Sequence, residues 1–97
     1  MTDGVPWPKD KLGKIPGLSG KITGTNITNE NVYVGLSYVK KEDLLDFIEK
    51  IKKLGFTENA SETISLDHIS YMGEDDKGYS LSVMWFNHEV NLNYIFP

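Results

Sequence analysis

The chain has 97 residues, 39% of them hydrophobic, a formal net charge of −4 and no cysteine, which bounds it to one compact core and excludes disulfides and thiolate zinc sites. All ten basic residues are lysines. Lacking arginine's planar fork and carrying an acidic balance, the chain is not expected to bind nucleic acid. No apolar run approaches the roughly 20 residues that span a bilayer, so direct membrane insertion is not expected either.

Residues 1–18 form an N-terminal arm, and residues 19–97 a single domain. Three of the four prolines fall in the arm, VPWPKDKLGKIPGL, which rules out a regular helix or a central strand there. Val5, Trp7, Leu12, Ile15 and Leu18 are too many apolar residues for a purely solvated linker, so an extended arm whose later half lies on the domain is expected. Lys21 to Thr28 and Val32 to Val39 then read as two strands around the turn formers Asn29, Glu30 and Asn31. In the second strand Val32, Val34, Leu36 and Tyr38 alternate with smaller residues, which predicts one buried face.

KKEDLLDFIEKIKKLGF, from Lys40 to Phe56, is an amphipathic helix. Leu44, Phe47, Ile48, Ile51 and Leu54 recur at three- and four-residue spacing and make one apolar stripe. Lys40 is a weak N-cap. Glu42 and Asp43 in the first turn and Lys50, Lys52 and Lys53 in the last complement the helix dipole, and Gly55 suits the left-handed C′ position. Phe56 then returns to the core.

The last third reads as a three-stranded meander whose register can be derived. A two-residue turn at Asn87-His88 pairs Phe86 with Glu89 and sets Trp85, Val83, Leu81 and Tyr79 opposite Val90, Leu92, Tyr94 and Phe96. Met84, Ser82 and Ser80 then share the reverse face with Asn91, Asn93 and Ile95. In the preceding hairpin Asp76-Lys77-Gly78 fits a type I turn closed by a left-handed glycine bulge. That register puts Gly73, Tyr71 and Ile69 on the core side and turns His68, Ser70 and Met72 outward beside Phe86, Met84 and Ser82.

These residues form a pattern: Trp7-Pro8, a strand, a helix ending Gly55-Phe56, then Tyr71-Met72-Gly73-Glu74-Asp75-Asp76-Lys77-Gly78-Tyr79 and a closing strand. The pattern resembles a family of small bacterial domains of unknown function found after a lipoprotein or secretion signal. The resemblance implies an extracytoplasmic address, secreted or lipid-anchored at the cell surface, and assigns no catalytic residue. Family members often place alanine and asparagine where this chain has Gly73 and Asp75.

The chemistry-bearing side chains have simpler readings. His68 and His88 lie on a strand and in a turn, without the spacing of a metal site. Glu74, Asp75 and Asp76 lack the alternation and downstream glutamate of an EF-hand loop, so a solvated turn is expected. No serine stands in a nucleophile elbow. No cofactor, metal or catalytic residue is therefore assigned. Met72, Met84 and Phe86, beside His68, are expected on the outer face of the sheet, where they offer an adaptable contact surface to a protein partner or a second copy. The arm is expected to cover them through Trp7, Ile15 and Leu18, which otherwise have no obvious burial; the alternative is that the patch stays open as that contact surface.

The expected fold is α+β: about five antiparallel strands with one helix packed on one face, in the order β-β-α-β-β-β. The function expected is a non-catalytic extracytoplasmic binding or protein-interaction module. An inhibitor of a secreted hydrolase is one alternative, on fold-level analogy alone; a small enzyme or metal-binding domain is another.

Overall fold

The structure is a computed structural model and describes residues 12–13 and 15–97. Its strands are β1 (Lys21–Ile27), β2 (Asn31–Ser37), β3 (Glu58–Ile64), β4 (His68–Glu74), β5 (Ser80–Phe86) and β6 (Glu89–Ile95), with helix α1 (Lys41–Lys53) between β2 and β3. All six strands form one antiparallel sheet in the order β1-β2-β6-β5-β4-β3. The α+β class therefore holds, with one strand more than expected. The additional strand, β3, precedes the meander and makes it four-stranded.

β3 escapes a hydrophobic reading because all seven of its residues are exposed. It lies at a sheet edge, its pairing with β4 slips between Glu58 and Ser61, and Asn59 there has φ 52°. Such a short, acidic, irregular edge discourages pairing with another chain. β1, at the opposite edge, carries a comparable irregularity between Ile22 and Gly24.

The derived register is observed. β4 and β5 pair from His68 with Phe86 to Glu74 with Ser80, and β5 and β6 from Phe86 with Glu89 to Ser80 with Ile95. Both turns have the required backbone: Asn87 and His88 have φ 52° and 65°, and Gly78 has φ 94°. Asp75 corrects the solvated-turn reading. It is 4% exposed, and its Oδ1 accepts the backbone N–H groups of Lys77 and Tyr79, each at 2.9 Å. Its carboxylate is a structural element of the hairpin.

Helix α1 buries Leu44, Phe47, Ile48 and Ile51 against the sheet, with no side-chain cap at Lys40; Leu54, the last residue of the expected stripe, is partly buried. Ile51 is fully buried, so Ile51→Ala is expected to cost about 2–5 kcal/mol in chemical denaturation. A loss well under about 1 kcal/mol would show that the helix docks through other residues.

Strand β2 ends at Ser37, two residues earlier than its alternation suggests. Tyr38 is 78% exposed rather than part of the buried face, because its backbone enters the left-handed region at φ 61°. The reversal sends Val39 inward. Its N–H donates to the His88 carbonyl at 2.9 Å, and its carbonyl accepts the Trp85 indole N–H at 2.8 Å.

The described part of the arm does not cover the outer face, which corrects the covering-arm expectation for Ile15 and Leu18. Leu12, Ile15 and Leu18 are buried in the same cluster as the helix stripe. Leu18 lines a small cleft with Phe47, and Ser19 donates to Asp43 Oδ2 at 2.9 Å. The close approach of Gly20 to the β2 end explains this path: a Cβ there would stand 2.7 Å from Val39 and 2.8 Å from the Ser37 carbonyl. Residues just before it therefore meet the helix-side core. Trp7 lies outside the described residues.

Candidate functional site

The face of the sheet away from α1 is open among the described residues. Strand alternation puts hydrophobic side chains under the helix, and on the other side His68, Ser70 and Met72 of β4 lie beside Phe86, Met84 and Ser82 of β5. Met72, Met84 and Phe86 are 46%, 48% and 58% exposed. All four residues expected to make an interaction surface therefore share one face. His68 and Phe86 are a directly opposed cross-strand pair, and Met72 and Met84 are diagonal neighbours.

At the centre of this face is a concavity of about 400 Å³, lined from the outer side by Tyr33, Ser61, Ser70, Met72, Ser82, Met84, Asn91 and Asn93. It takes in the two methionines and leaves His68 and Phe86 beyond its rim. Its size falls in the range of small-ligand sites. The lining contains no carboxylate, imidazole, ammonium or guanidinium group, so charge plays no direct part in what it can hold.

The side chains of β2 and β6 fix the polar wall. The Tyr33 hydroxyl donates to Asn91 Oδ1 at 2.5 Å, and Asn31 Nδ2 donates to Asn93 Oδ1 at 2.7 Å. Both asparagine amides thus turn their oxygens toward β2. Neither Tyr33 nor this orientation is visible in the sequence reading, since both depend on β2 pairing with β6, strands far apart in the chain. Ser61 was missed together with β3. The one available signal was Tyr33 itself, an aromatic residue alternating with buried Val32 and Val34.

The ionisable groups lie elsewhere. Lys52 joins Glu62 and Glu49 at 3.1 and 3.3 Å, and Glu62 first, then Glu49, holds its ammonium above the ordinary lysine value. His88 sits edge-on to Trp85, 5.8 Å between ring centres, in the turn it helps to form. Among the described residues no group of three histidine, aspartate or glutamate side chains could hold a metal ion. Thermal melts in calcium, zinc and chelator are accordingly expected to coincide; a midpoint rising with metal concentration would contradict this.

Comparison with known proteins finds no matching family model, no matching curated protein and no matching solved structure.

Proposed function

We propose that the protein is a non-catalytic binding module whose recognition surface is the open face of the sheet, acting outside the cytoplasm as its sequence resemblance implies. One observation carries the reading: two exposed methionines and an exposed phenylalanine cluster on the face that the helix leaves uncovered. Large apolar side chains grouped on a soluble surface mark contact sites, and methionine's flexible thioether adapts to a partner's shape. The neighbouring concavity adds a place for a specific group. Its lining lacks an acid–base pair, which favours binding over turnover.

A photo-crosslinking amino acid at Met84, on the open face, and at Lys53, exposed on α1, tests this in the cells that make the protein. Adducts are expected from position 84, with a partner or a second copy, and not from position 53. Equal yields at both positions, or adducts at 53 alone, would reject the open face as the recognition surface.

A further inference from the structure

The two hydrogen bonds from β2 have a chemical consequence for the concavity. Each takes up the amide oxygen of an asparagine and leaves that residue's Nδ2 without an acceptor among the described residues. Asn91 and Asn93 are two residues apart on one strand, so their amides repeat every 6.8 Å or so along β6. The wall is thus a short ladder of hydrogen-bond donors.

An extended peptide presents carbonyl oxygens of the same sense at the same two-residue interval. Beside the ladder, Met84 of β5 pairs with Asn91 and Met72 lies one strand further on β4, together a soft apolar wall. The lining offers no cation to an anionic ligand and no carboxylate to a cationic one. A saccharide would also be neutral, but sugar binding favours a free aromatic face with mixed donors and acceptors. Here the aromatic residue on the outer side of the concavity is Tyr33, whose hydroxyl is engaged by Asn91, and each asparagine oxygen already accepts one hydrogen bond.

We propose that this concavity binds an extended, uncharged peptide segment, its backbone carbonyls accepting from Asn91 and Asn93 and one apolar side chain seated between Met72 and Met84. The inference rests on the binding-module reading and names its partner's chemistry. Ser70 and Ser82 on the floor complete the site, because a hydroxyl can meet either a carbonyl or an N–H of the segment.

The decisive variants are Asn91→Asp and Asn93→Asp. Each keeps an oxygen to accept from Tyr33 or Asn31 and exchanges the amide NH2 donor for a charged acceptor oxygen, so the internal hydrogen bonds survive. A displayed library of heptapeptides free of aspartate, glutamate, lysine and arginine is selected on the immobilised domain, and the most enriched sequence is synthesised with capped ends. Titrated into the domain, it should shift the backbone amide NMR signals of Met72, Ser82, Met84, Asn91 and Asn93 saturably. Each Asp variant should weaken binding at least about tenfold with an unchanged melting temperature. Met84→Ala, at an exposed position, supplies an independent loss should an Asp variant fold poorly. Enrichment no greater than on a Met84→Glu domain, or Asp variants that bind as tightly, would overturn the proposal. So would maltoheptaose shifting these amides where peptides do not, or a dimer formed through this face that the peptide fails to displace. Crosslinking at position 84 persisting after such a failure would leave the binding-module reading standing without its peptide ligand.

Discussion

Replacing Gly73 with alanine is expected to destabilise the domain by at least about 3 kcal/mol, the upper end of what overpacking costs. Gly73 lies on the helix side of β4, opposite Leu81. A Cβ at this position would stand 2.2 Å from the Phe56 carbonyl oxygen and 2.9 Å from its carbonyl carbon. The obstacle is backbone, so no rotamer change relieves it. Moving the Phe56 carbonyl would also disturb the hydrogen bond that it accepts from the Tyr71 hydroxyl at 2.6 Å. Burial pushes the Tyr71 phenol above its ordinary value, so that hydroxyl remains a donor through neutral pH. Gly24→Ala is the control: this strand glycine has nothing within 4 Å of the position its Cβ would take, and its replacement should shift the denaturation midpoint little. A Gly73→Ala loss below about 1 kcal/mol would mean that the chain leaving α1 yields easily.

The same residues show what was legible in the sequence. The β4–β5 and β5–β6 registers followed from two turns whose chemistry is local: Asn87-His88 and Asp76-Lys77-Gly78 set the backbone, and alternation does the rest. Met72, Met84 and Phe86 could therefore be placed on one face before any coordinates. β3 could not be found, because an edge strand with every residue exposed carries no buried stripe to repeat. Asp75 looked like one of three solvated acids, yet the turn's free N–H groups needed an acceptor from within it. Tyr38 fitted the alternation of β2 and was excluded from it by a single left-handed residue. The polar wall of the concavity was hidden for a different reason. Its orientation is set by the pairing of β2 with β6, a contact between the first hairpin and the last strand that no local pattern specifies.

Phe56→Ala should be the most damaging of the core truncations, at about 3–5 kcal/mol. Phe56 is fully buried and meets Tyr94 of β6 edge-on, ring centres 6.1 Å apart, an arrangement that adds to simple burial. Its position follows from the helix end. Gly55 takes φ 106°, its N–H donates to the Lys52 carbonyl and that of Phe56 to the Ile51 carbonyl, so the chain reverses and directs the ring inward. From there the residue joins three elements: α1 through its N–H, β4 through the carbonyl that Tyr71 engages, and β6 through its ring. Removing the ring opens a cavity next to the aromatic group in which Tyr94 also stacks on Tyr79, 5.5 Å between centres, and meets Phe96 at 5.7 Å. Chemical denaturation gives the energy, and amide exchange shows where the loss is felt. Faster exchange in β6 as well as at the end of α1 is expected, because one side chain braces both. Faster exchange confined to residues 54–58 would show that Phe56 only closes the helix, and that the aromatic cluster holds the far side of the sheet without it.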